Sequence, residues 1–97
     1  MKFEISLNEP VITSSYILDE KLPILYVSHD FDEESAGGGY WQFHCGNGDY
    51  SPEKLKLVKL SVIIRIDSSI NEIADLPLGF GAWRSALGQP WQYEKEN

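Results

Sequence analysis

The chain has 97 residues, 42% of them hydrophobic and 12% aromatic, which is enough for one core, too few for two, and too aromatic for an acidic disordered chain. Eight Lys and Arg against fifteen Asp and Glu leave a net charge of −7. That charge repels phosphate backbones and, with no basic stripe to offset it, excludes nucleic acid as the expected partner while favouring basic ones.

In chain order, Phe3, Ile5 and Leu7 alternate with Glu4 and Ser6, a two-residue period that predicts a short half-buried strand ended by Asn8-Glu9-Pro10. Val11 to Leu18 is rich in β-branched residues, Ser and Tyr, and reads as either a strand or an irregular connection. Asp19-Glu20-Lys21 is a charged turn, and Pro23 bars Leu22 from helical geometry. Ile24-Leu25-Tyr26-Val27-Ser28 is nearly continuous in apolar residues and predicts a central strand. His29 to Ser35 carries Asp30, Asp32, Glu33 and Glu34 and leads into three glycines, so an exposed hairpin tip is expected there.

Tyr40 to Cys45 is the returning strand of that hairpin. Its period places Trp41, Phe43 and Cys45 on a core face and Tyr40, Gln42 and His44 on the other. Gly46-Asn47-Gly48-Asp49 suits a tight turn with positive φ angles. Ser51-Pro52-Glu53-Lys54 suits a single helical turn, with Pro52 at its first position. Leu60, Val62, Ile64 and Ile66 keep the period of two and predict another strand. Ser69 and Glu72 have capping-box spacing for a short helix whose apolar face is Ile70, Ile73 and Ala74. Leu78 to Trp91 holds Phe80, Trp83 and Trp91 in an irregular stretch expected to wrap the sheet as a lid. Glu94 to Asn97 reads as a frayed, charged tail.

The residues with chemistry point to binding rather than catalysis. One cysteine leaves no internal disulfide and no thiol-based zinc site. Pairing strands 24–29 and 40–45 directly across the glycines sets His29 opposite Tyr40 and His44 opposite Leu25. The imidazoles then share a face but lie roughly 13 Å apart, too far for one metal ion. His44 points away from Cys45, which reads as a small buried hydrophobe. The glycine run lacks the helix and lysine of a phosphate cradle. Arg84 is expected to pair with Asp67 or Asp75 or to stack on Trp91. Aromatic groups beside an acidic loop are what interface hot spots use. Asp30, Asp32, Glu33, Glu34 and Tyr40 therefore form the candidate partner-binding patch, with no catalytic residue, metal or cofactor assigned. The N-terminal residues lack a signal-peptide run and no window has the about 20 apolar residues of a membrane span, so a cytoplasmic protein is expected.

Three segments also carry a resemblance. They are Ile24-Leu25-Tyr26-Val27-Ser28-His29-Asp30, Tyr40-Trp41-Gln42-Phe43-His44-Cys45-Gly46, and Ile66-Asp67-Ser68-Ser69-Ile70 running on to Leu76-Pro77-Leu78-Gly79 and Ala82-Trp83-Arg84. Their order resembles the small bacterial domains grouped as immunity-protein-33-like, over roughly residues 22–91. Members carry a hydrophobic strand ending near an acidic residue, a Gly-Trp-Gln-Phe-like strand followed by glycine, and an Asp-Pro-Ser-like helix start before a Leu-Pro-x-Gly lid. Ser68 stands where proline is common, and Cys45-Gly46 follows His44. The resemblance implies a protein that neutralises a cognate toxin by binding it, and it carries over no catalytic residue.

The resulting expectation is one α+β domain over residues 1–97, with an antiparallel sheet of four or five strands, one short helix and an aromatic C-terminal lid. Its expected role is non-catalytic binding of a basic toxin, as a monomer or homodimer. The rival readings are a small metal-dependent hydrolase using His29, Asp30 and His44, and a homodimeric accessory protein sealed through a strand edge.

Overall fold

The computed structural model describes residues 3–31 and 39–96. They form an α+β fold with strands β1 (Pro10–Ser14), β2 (Tyr26–Phe31), β3 (Gly39–His44), β4 (Leu55–Lys59), β5 (Phe80–Trp83) and β6 (Gln92–Lys95). Helices α1 (Ser15–Leu18) and α2 (Leu60–Ile66) and two 3₁₀ turns, Pro52–Lys54 and Ser68–Ile73, complete it. The strands make one six-stranded sheet in the order β4-β1-β3-β2-β5-β6. Every neighbouring pair is antiparallel except β1 and β3, which run parallel with Ile12 beside Gln42. The sheet is therefore mixed, because β3 lies between β2 and β1 and runs parallel to β1. It is larger than expected, because Phe80–Trp83 and Gln92–Lys95 add two strands.

One face of the sheet is buried under the helices. Val11, Val27, Trp41, Phe43 and Ala82 pack there with Ile17, Leu60, Ile63, Ile70, Ile73 and Leu76 in a single cluster. The face assignment of β3 follows its period: Trp41, Phe43 and Cys45 enter the core, and Tyr40, Gln42 and His44 lie opposite. The turn after β3 holds Gly46 at φ 79° and Gly48 at φ 83°, as its composition requires.

The register of the central hairpin differs by one residue from the direct pairing. His44 lies opposite Tyr26 and Trp41 opposite His29. This register sets Val27 against Phe43, joining two fully buried side chains, where the direct pairing would have set Val27 against Gln42. Because side chains alternate along a strand, a one-residue slip exchanges the faces of one partner. His29 therefore turns to the covered face while His44 stays on the other.

Four further expectations are corrected. Residues 3–7 form no strand, although Phe3 still packs edge-on to Trp41 with ring centroids 4.8 Å apart. Residues 60–66 are helical, and the strand before them ends at Lys59. Leu60 and Ile63 also stand at helical spacing, and both are fully buried. The first amides of α2 find partners outside the helix, Leu60 N–H donating to Glu9 O at 2.9 Å and Ser61 N–H to Leu7 O at 3.0 Å. The turn at 68–73 is capped by Asp67, whose Oδ1 accepts from the Ser69 amide at 3.0 Å, rather than by Ser69. The expected lid and tail supply two strands instead, and Trp83 is 45% exposed on β5.

Candidate functional site

Among the described residues, no core helix covers the second face of the sheet. Register partners share a face, so Leu57, Ile12, Gln42, Ser28, Gly81 and Glu94 form one row across all the strands. Flanking that row are His44, Tyr26, Trp83 and Gln92 on one side and Tyr40 beside Asp30 on the other. Leu57 at 70% and Trp83 at 45% are among its exposed apolar groups.

A directed hydrogen-bond network runs across the middle of this face. Asp30 Oδ2 accepts from Ser28 Oγ at 2.7 Å and from Gln42 Nε2 at 2.9 Å. With its amide nitrogen turned to the carboxylate, Gln42 presents Oε1 to His44 Nε2, 2.9 Å away. A carbonyl oxygen only accepts, so this assignment puts the proton on Nε2. The Tyr50 ring meets His44 edge-on at 4.8 Å. Burial desolvates His44 and holds it below its ordinary pKa, and the charge of Asp30 only partly offsets this.

Beside this network the Tyr26 hydroxyl donates to Glu96 Oε1. The bond passes over Gly81, where an added Cβ would collide with the Glu96 carboxylate and lie 3.0 Å from the Tyr26 hydroxyl. Burial first, and then the Glu96 carboxylate, push the Tyr26 hydroxyl far above its ordinary pKa. Burial also raises Tyr50. These groups line a shallow basin of about 280 Å³ on the open face.

Of the expected patch, Asp30 and Tyr40 are register partners at one end of this face. Asp32, Glu33 and Glu34 lie outside the described residues. The structure does not bring His29 and His44 together. His29 stacks on Trp41 with centroids 4.0 Å apart and planes 14° apart, and its Nδ1 donates to Leu76 O at 2.7 Å. It borders a separate cleft of about 360 Å³ with Glu4, Asp75 and Leu76. Among the described residues, no group of three or more His, Cys, Asp or Glu is placed to hold a metal ion, and no helix is long and apolar enough to cross a membrane.

Arg84 meets two of its expected partners at once. It is 4% exposed, pairs with Asp67 Oδ2 at 2.7 Å, and lies 4.2 Å from the centre of the Trp91 ring. Its Nε and Nη2 also donate to Ile24 O at 3.1 and 2.9 Å. The guanidinium thereby ties β5 to the 3₁₀ turn and to the segment before β2.

Sequence reading missed Tyr26, Ser28, Gln42, Tyr50 and Glu96 as members of one site. Their signal is partly present, since Tyr26, Ser28 and Asp30 alternate with Val27 and His29 along β2. Glu96 gives no such signal, because its contact with Tyr26 spans 70 positions of sequence. Comparisons with protein-family models, with curated proteins and with solved structures found no match.

Proposed function

We propose that this protein is a non-catalytic binding domain that takes a basic protein partner on its open sheet face. The observation that carries this reading is the face itself. Among the described residues it has no covering helix layer, it holds Asp30, Glu94 and Glu96, and it exposes Trp83 and Tyr50 beside them. Exposed aromatics next to an acidic network supply the anchors and the charge complementarity of a protein interface. A net charge of −7 adds long-range attraction for a cationic surface.

Joined to the resemblance to immunity-protein-33-like domains, this makes the partner a cognate bacterial toxin met in the cytoplasm and neutralised by occlusion of its basic site. Asp32, Glu33 and Glu34 adjoin Asp30 in sequence and extend the acidic patch in this reading. The test is capture from the lysate of the source cells, with the protein as bait at low and high salt. A stoichiometric basic partner that high salt releases is the expected result. A partner without basic character, or one held equally at both salt concentrations, overturns the charge-driven reading.

A further inference from the structure

We propose that the basin on the open face seats one arginine side chain of the basic partner, its guanidinium held by the Asp30 and Glu96 carboxylates. The inference rests on the reading of that face as the binding surface and names the group it grips.

The chemistry follows from which donors and acceptors are already used. Ser28 and Gln42 donate to Asp30 Oδ2, His44 donates to Gln42 Oε1, and Tyr26 donates to Glu96 Oε1. Four side chains thus direct a donor inward, and each carboxylate has one oxygen fixed by a neighbour. Asp30 Oδ1 and Glu96 Oε2 take no hydrogen bond among the described residues. The basin therefore presents mainly acceptors and negative charge, with a second Gln42 N–H and the Tyr50 hydroxyl as its minor donors.

An anion is repelled there, and a neutral ligand leaves the charge of both carboxylates unpaired. The matching group is a cation rich in donors. Guanidinium suits this better than ammonium, because its planar fork of five donors bridges separate carboxylates and stacks on aromatic rings such as Tyr50. The size agrees: about 280 Å³ lies just under the range of small-molecule pockets and is on the scale of one side chain. The inward hydrogen bonds hold both carboxylates in place before the ligand arrives, which limits the ordering cost of binding.

The test uses ethylguanidinium as probe, with ethylammonium for comparison, titrated into isotope-labelled protein and followed by NMR. Saturable shifts at the Gln42 side-chain amide and the Asp30 and Glu96 carboxyl carbons are expected, with ethylammonium at least about tenfold weaker, or about 1.4 kcal/mol. Asp30→Asn and Glu96→Gln should each weaken the response by a similar factor, and Glu53→Gln on the 3₁₀ turn should not. Both substitutions keep an oxygen for the inward donors, and unchanged spectra elsewhere verify the fold. Linear shifts spread over all carboxylates, an equal response to ethylammonium, or persistence in the Asp30→Asn/Glu96→Gln double variant would overturn the proposal. A protein that captures a basic partner yet gives no saturable guanidinium response loses the arginine seat and keeps the binding role. The converse pair of results keeps the seat and removes the partner.

Discussion

The two faces of one sheet receive a histidine each and use it differently. On the covered face His29 lies flat on Trp41 and gives its Nδ1 proton to a backbone carbonyl, so the ring joins the packing. On the open face His44 is 3% exposed yet serves a polar chain through Gln42 to the Asp30 carboxylate. Burial of apolar groups stabilises the first face, whereas the second spends hydrogen bonds on orienting charge. Substitutions on the covered side should therefore remove stability, and substitutions on the open side should remove binding while leaving the fold in place.

The largest stability effect is expected at Phe43, which is 0% exposed. Phe43→Ala should cost about 3–5 kcal/mol in urea denaturation, and a loss below about 1 kcal/mol would break the contrast between the faces. Arg84→Met comes next, at roughly 3 kcal/mol, the lower end for a broken buried pair. It strips Ile24 O of its guanidinium donors and leaves Asp67, still 18% exposed, without its cation. Gly39→Ala should cost about 1–3 kcal/mol, since the new methyl would stand 2.7 Å from Asp30 O and collide with Leu78.

A smaller effect is expected in acid. Hydrogen bonds from Ser51 and Tyr16 hold the Asp49 carboxyl down to about 2, below its ordinary 3.8. For Asp67, burial pushes upward, but the Ser69 hydrogen bonds and Arg84 outweigh it and keep the carboxyl below its ordinary value. A depressed carboxyl stabilises the fold above its unfolded pKa, so this stability is present above pH 3.8 and lost as pH falls toward 2. Tyr16→Phe should raise the Asp49 midpoint in an NMR titration; an unchanged midpoint would remove Tyr16 as a cause.

The smallest stability effect is expected on the open face, where Asp30→Asn should cost under about 1 kcal/mol because the amide oxygen still accepts from Ser28 and Gln42. The same substitution should lower the His44 midpoint further below 6.5, because it removes the charge that partly offsets burial. With its folded pKa below the unfolded value, His44 imposes no penalty above about pH 6.5 and a growing one as pH falls. An Asp30→Asn midpoint equal to or above the wild-type value would contradict the network.

The class of fold and the inward face of β3 were legible because local alternation determines both. Trp41 and Phe43 alternate with Tyr40, Gln42 and His44, and nothing distant changes that order. Residues 60–66 were not legible, since Leu60, Ile63 and Ile64 satisfy a helical spacing inside a run that also alternates. Contacts with Leu7 and Glu9 accompany the helical outcome there. β5 and β6 were hidden for a related reason: four-residue strands, one holding Gly81 and the other ending in charged residues, carry little periodicity, and the pairing of β5 with β2 and of β6 with β5 defines them. The site was half legible. Asp30 and Tyr40 follow from the hairpin, but the one-residue register and the reach of Glu96 across Gly81 depend on long-range packing.

The most direct measurement compares the two faces in one capture experiment. Wild type, the open-face variant Asp30→Asn/Glu96→Gln and the covered-side variant Glu4→Gln/Asp75→Asn remove the same charge from different places, and each is used as bait at low salt. The open-face variant should lose the basic partner by at least about tenfold, or 1.4 kcal/mol, while the covered-side variant retains it. Equal retention by both, or selective loss by the covered-side variant, would contradict the assignment of binding to the open face.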